Sequence, residues 1–155
     1  MQKQRAFKPV KRRKSNLEDE HQKSLIDWAK VCRLPEAAHI EPGAKLADYI
    51  FHIPNGGKRG KVEAAILKGM GTKKGVSDLF LPLPLHGKPG LWIEMKAPFK
   101  DSKDKNYPSK DQKEWLARMR LAGFATAVAY GWFEAREIII NYIRGQYDET
   151  NTINV

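Results

Sequence analysis

At 155 residues, with 41% hydrophobic content, four Trp and six Phe, the chain fits one domain around one core. No stretch approaches the roughly 18 apolar residues of a membrane span, no apolar leader opens the chain, and a lone cysteine excludes an internal disulfide. The net charge of +10 points instead to a polyanionic partner, and the single thiol to a reducing, cytoplasmic setting.

Residues 1–14 carry Lys3, Arg5, Lys8, Lys11, Arg12, Arg13 and Lys14 and no acid, seven of the net ten charges. They read as a flexible arm that gains phosphate contacts by counterion release, largely without reading sequence. A solubilising tail and a targeting signal are the alternatives. One domain is expected over 15–146, followed by a polar tail over 147–155. Ser15-Asn-Leu-Glu18 is a capping box that opens a helix reaching about residue 33. Leu25, Trp28, Ala29 and Cys32 share its apolar stripe, which makes Cys32 a core thiol. Pro35 helps to end it.

A strand over 49–53 follows, with His52 as a satisfied core histidine, and Pro54-Asn-Gly-Gly57 stops it. Lys58 and Arg59 lie beside this turn as candidate phosphate contacts, as do Lys73 and Lys74 beyond a short helix over 60–69. Gly71 and Gly75 bracket Thr72, Lys73 and Lys74 and mark a tight turn or a close backbone approach. Strands over 77–82 and 90–96 have a short connection, which implies an antiparallel hairpin. After a polar loop, a second capping box, Ser109-Lys-Asp-Gln112, starts a helix to about 122 that Gly123 stops. A buried strand over 125–130 and a helix over 133–144 complete the order α-β-α-β-β-α-β-α.

The chemistry sits in the hairpin. Strand alternation puts Trp92, Glu94 and Lys96 on one face and Leu91, Ile93 and Met95 on the other, core-packed face. A Glu and a Lys on an otherwise apolar strand are costly to bury without partners. Asp78, near the start of the neighbouring strand, can face the same cleft. Mg²⁺ takes oxygen ligands and keeps several waters, so one or two carboxylates plus a substrate phosphate suffice. An ordinary Glu–Lys ion pair on a solvated face is the competing reading. Glu18 continues through Gln22, Leu25 and Ala29 along the inward edge of the first helix, whereas Glu20 follows a more exposed row. Either Glu18 caps its own helix or it reaches the site. Gln112 has the same two options: it can cap, or it can enter the cleft on the row of Trp115, Leu116 and Met119. His21, His39 and His86 show no zinc-ligand spacing, and Tyr107 and Trp132 read as packing residues before base-stacking ones.

These blocks resemble the PD-(D/E)xK, restriction-endonuclease-like superfamily, and more closely its virus-type replication-repair nuclease (VRR-NUC) domains. The resemblance rests on Glu18-x-x-x-Gln22 with Trp28, Ile53-Pro-Asn-Gly-Gly-Lys58, Gly75-Val-Ser-Asp-Leu-Phe-Leu-Pro82, Gly90-Leu-Trp-Ile-Glu-Met-Lys96, Ser109-x-x-Gln112-x-x-Trp115 and Ala122-Gly-Phe, and it spans roughly 17–143. It implies an α/β fold with an αβββαβ core, a central mixed sheet flanked by helices. It also implies phosphodiester hydrolysis dependent on Mg²⁺ or Mn²⁺. Asp78 and Glu94 would ligate metal with the Met95 backbone carbonyl, Lys96 would be the catalytic lysine, Glu18 would support the metal, and Gln112 would be the ancillary polar residue. Small stand-alone members are similar to phage-encoded nucleases of branched, flapped or four-way-junction DNA, often homodimeric, which would place this protein in a host bacterial cytoplasm. One departure is Ser77, where the motif name has proline. A basic DNA-binding module without catalysis and a sequence-specific restriction-like endonuclease remain as alternatives.

Overall fold

The computed structural model describes residues 17–54 and 61–148, and within them four strands form one mixed sheet in the order β1-β2-β3-β4. The elements are α1 (Leu17–Ala29), β1 (Phe51–His52), α2 (Lys61–Gly69), β2 (Leu79–Leu81), β3 (Leu91–Lys96), α3 (Lys110–Leu121), β4 (Ala125–Tyr130) and α4 (Trp132–Arg144). Setting aside α2 and the final helix, this is the expected αβββαβ order. β2 pairs antiparallel with β1 and with β3, while β3 and β4 are parallel through all six residues. The antiparallel hairpin closes through a bridge between Leu85 and Lys88, with His86 and Gly87 both at positive φ in the tight turn. The parallel pair needs a crossover, and α3 supplies it.

Register divides the sheet into two faces. Leu79, Ile93 and Ala127 align across three strands, as do Leu81, Leu91 and Ala125, and Met95 aligns with Ala129. All eight are buried, packed with Leu25 and Ala29 of α1 and Ala135, Ile139 and Tyr142 of α4. The Tyr142 hydroxyl donates to the Leu83 carbonyl at 2.7 Å, so the largest buried side chain leaves no polar atom stranded. The opposite face carries Phe80, Trp92, Glu94, Lys96, Thr126 and Tyr130, and α3 covers it. There Phe80 stacks on Trp92 at 4.1 Å, and Trp115 of α3 meets Trp92 edge-on at 5.3 Å.

Four local expectations change. α1 ends at Ala29, short of residue 33, because Cys32 and Leu34 turn away to pair with Leu46 and Ala44. That leaves Cys32 half-buried at the edge of the core. β1 shrinks to two residues because Leu46–Asp48 forms a 3-10 turn whose Leu46 carbonyl takes the N–H groups of Tyr49 and Ile50. His52 is exposed, although its Nδ1 is satisfied at 2.8 Å by the Asp78 carbonyl. Tyr147, expected in the polar tail, docks on the open edge of β4, where its hydroxyl meets the Thr126 N–H at 3.0 Å and the Thr126 carbonyl. β4 is an outer strand, and the phenol supplies partners that a fifth strand would otherwise supply. The basic arm with Lys11, Arg12, Arg13 and Lys14, and the pair Lys58 and Arg59, lie outside the described residues.

Candidate active site

Two local devices set up the site. β2 and β3 align Leu79 with Ile93, which puts Asp78 one step beyond β2, at the C-terminal half of β3. α3 starts at a full capping box: Ser109 Oγ accepts from the Gln112 N–H, and Gln112 Oε1 accepts from the Ser109 N–H at 2.7 Å. The loop ahead of Asp78 presses against that same helix start. Gly75 has a φ of +75°, and a Cβ there would stand 2.3 Å from the Asp111 backbone carbonyl. Only glycine fits so close an approach at that φ.

These devices bring Asp78, Glu94, Lys96 and Gln112 together. Glu94 is fully buried, and its Oε1 receives Lys96 Nζ at 2.6 Å and also Gln112 Nε2. Gln112 therefore caps its helix and enters the cleft at once, its oxygen serving the cap and its nitrogen serving Glu94. Asp78 Oδ2 accepts the Met95 N–H at 2.9 Å. A strand residue points its N–H and C=O toward the same edge, so the Met95 carbonyl also faces the Asp78 side. Glu18, half-buried at the N-terminus of α1, lies within electrostatic reach of both Lys96 and Asp78. Lys73 and Lys74 are exposed in the turn before β2, and among the described residues neither makes a hydrogen bond or ion pair with this group. A shallow groove lined by Gln22, Lys23, Ile26, Asp27 and Lys30 lies elsewhere on α1 and includes no carboxylate of the cluster.

The electrostatics disfavour a bare negative charge on Glu94. Burial, then the Asp78 charge, push the Glu94 carboxyl up to about 8, against the pull of Lys96. Desolvation outweighs the ion pair because an isolated buried carboxylate is so costly. Burial and Asp78 also raise the Glu18 carboxyl, opposed by Lys96 and the Ala97 N–H. Glu94 Oε2 is buried without a hydrogen-bond partner, an orphan acceptor beside a second carboxylate. Among the described residues no group of three or more His, Cys, Asp or Glu side chains converges as a ready cage. A hard cation that keeps its own waters needs only the pair and a carbonyl, and these residues fit one.

A lysine and three rings, unnoticed in the sequence as a group, flank Lys96. Tyr130 is its partner across the β3–β4 pair, and Lys105 Nζ rides over the rings of Tyr130, Tyr107 and Phe99. Only an aromatic-rich stretch around 99–107 hinted at it. His21, which shows no zinc-ligand spacing in the sequence, accepts the Trp132 N–H at 3.2 Å and braces α1 against the start of α4.

No family model and no curated protein matches the sequence. A solved structure described as a VRR_NUC domain protein does: it is 31% identical, with a TM-score of 0.66, over 87% of this chain and 95% of that one. The chain belongs to the VRR-NUC family. Its αβββαβ sheet is thus the restriction-endonuclease-like, nuclease-type fold, and the Asp78–Glu94–Lys96 group occupies the hairpin of a VRR-NUC domain. No helix among the described residues is long and apolar enough to cross a membrane.

Proposed function

We propose that this VRR-NUC protein is a divalent-metal-dependent deoxyribonuclease that hydrolyses phosphodiester bonds in branched or flapped DNA. The observation that carries the reading is Glu94: buried, bridged by Lys96 and Gln112 on one oxygen, and unpartnered on the other beside Asp78. Glu94 Oε2, Asp78 and the Met95 carbonyl would hold Mg²⁺ or Mn²⁺, with Glu18 adding negative charge at the rim. Such an ion supplies polarisation of a phosphoryl oxygen and a more acidic bound water.

The chain's own residues do the rest. Gln112, locked by its cap, and Lys96 fix the rotamer of Glu94, so the carboxylate is oriented before substrate arrives. Lys96 also places a positive charge where negative charge develops on the phosphorus oxygens. Lys73, Lys74, Lys58, Arg59 and the arm residues Lys11, Arg12, Arg13 and Lys14 would contact the DNA backbone. Contacts of that kind read phosphate geometry, which favours recognition of DNA shape over base sequence. A homodimer would engage both sides of a junction, and the cytoplasm of a phage-infected bacterium is the fitting compartment.

The test is digestion of labelled four-way junction, flap, single-stranded and plain duplex DNA in Mg²⁺, Mn²⁺ or EDTA. Asp78→Ala and Lys96→Ala are expected to lose cleavage by about 100-fold or more, with salt-sensitive binding retained. Full activity in either purified variant would refute the site, and binding without cutting in every lane would favour a DNA-binding module. A monomer mass at micromolar concentration would refute the dimer.

A further inference from the structure

The connection between β3 and α3, residues 97–109, leads from Lys96 to the helix that bears Gln112, and it carries Phe99, Lys105 and Tyr107. Lys105 Nζ stands 4.6 Å from the Tyr130 ring centroid, 5.1 Å from Tyr107 and 5.4 Å from Phe99. Phe99 meets Tyr130 edge-on at 5.0 Å, and Lys113 of α3 lies 6.0 Å from Tyr107. A clamp built only to hold the loop would bury its rings, yet Phe99 is 37% and Tyr107 52% exposed. No hydrogen bond or ion pair among the described residues engages the Lys105 ammonium. Glu134, whose carboxyl feels its charge, spends Oε2 on the Tyr130 N–H. Half-open rings beside a cation with unused N–H groups are the chemistry that holds a nucleotide out of a duplex. The base stacks on the rings, and the cation takes the phosphate. Bases inside a duplex have their faces covered and cannot stack there.

We propose that Phe99, Tyr107 and Lys105 form a subsite for one unpaired nucleotide adjoining the scissile phosphate, with the base on the two rings and its phosphate on the Lys105 ammonium. The inference rests on the nuclease reading for what lies next to it: Tyr130, the inner wall, is the cross-strand partner of Lys96. It deepens that reading by naming a single-stranded flank as the recognised feature of a branched or flapped substrate.

The experiment uses full-length protein in EDTA, titrated into two duplexes of equal length. In one, 2-aminopurine is the first unpaired base of a short overhang; in the other it is paired within a blunt duplex. The expected result is quenched 2-aminopurine fluorescence for the overhang alone and binding about tenfold tighter than to the blunt duplex. Phe99→Leu combined with Tyr107→Leu should abolish the quench and the preference, Tyr107→Phe should retain both, and Lys105→Gln should weaken the overhang complex selectively. Matched thermal melts establish that the variants fold. A double variant that keeps the wild-type quench and ratio would overturn the subsite, as would a wild-type protein that binds both duplexes equally without quenching. The binding arm needs no hydrolysis, so a parallel digestion in Mn²⁺ that yields no product would count against the nuclease reading alone.

Discussion

Gly75→Ala tests whether the loop ahead of Asp78 and the start of α3 are built as one unit. The new Cβ would sit 2.3 Å from the Asp111 carbonyl carbon and oxygen and 2.7 Å from the Gln112 nitrogen, all backbone atoms. A flexible side chain could step aside; a capped helix start must retreat by roughly 1 Å to reach ordinary contact. A φ of +75° adds about 1–2 kcal/mol for any residue with a Cβ, and overpacking adds about 1–3 kcal/mol. The variant should therefore lose about 2–5 kcal/mol, seen as a fall in Tm of about 4–20 °C for a chain of this size. Gly71→Ala is the internal control, because Gly71 has a φ of +93° but open space around its Cβ position. It should cost only the conformational term of about 1–2 kcal/mol. Retreat of α3 would also loosen Gln112 from Glu94, so Gln112→Ala should cost less in the Gly75→Ala background than in the wild type. Equal losses for the two glycine variants, or strict additivity with Gln112→Ala, would refute the coupling.

Two further outcomes follow from named groups. The folded state holds the Glu94 proton up to about 8 against an ordinary 4.5, so metal-free protein should lose stability as pH rises between those values and level off above, by at most roughly 1.4 kcal/mol per pH unit. Glu94→Gln should flatten most of that slope, and a wild-type denaturation midpoint in EDTA that climbs across the window would contradict it. Tyr147→Phe strips the edge of β4 of the partner for the Thr126 N–H and should cost about 1–2 kcal/mol in urea unfolding; no measurable loss would show that the phenol is idle.

Much of the site is legible in the sequence because strand alternation is a strict rule. Once residues 90–96 are read as a strand, Glu94 and Lys96 must share a face, and the hairpin must bring Asp78 alongside. Fold order follows equally well in the middle of the chain, since Gly71, Gly75, the Ser109 cap and Gly123 punctuate α2, β2, α3 and β4. Gln112 could not be resolved, because a cap and a site contact compete on paper for one amide. In the structure they use different atoms of it. β1 was over-extended because its apolar letters at 49 and 50 serve a 3-10 turn whose hydrogen bonds no periodicity announces. The Lys105 cluster joins residues from a loop and from β4, and only the parallel register of β3 and β4 brings them together.

The buried Glu94–Lys96 pair is a poor way to stabilise a protein, and that makes its contribution measurable. Both side chains are nearly inaccessible, at 0% and 7%, and Asp78 works against Glu94 from the next strand. Removing one partner from such a pair costs about 3–5 kcal/mol, whereas replacing both with apolar groups of similar volume is often neutral or stabilising by about 1–4 kcal/mol. Lys96→Met alone should accordingly destabilise the protein in EDTA above pH 8, where Glu94, having lost the cation that lowers its carboxyl, must either hold a bare buried charge or keep a proton that the unfolded chain would release. Glu94→Leu combined with Lys96→Met should recover that loss and can exceed the wild type, because it also relieves the repulsion from Asp78. The double variant should show no metal-dependent cleavage and no rise in Tm on adding Mn²⁺, while the wild type shows both. If the double variant were less stable than the single one, the pair would be a structural element in its own right. Stability gained together with loss of the metal response instead marks Glu94 and Lys96 as residues kept at a cost to folding for what they do to a substrate.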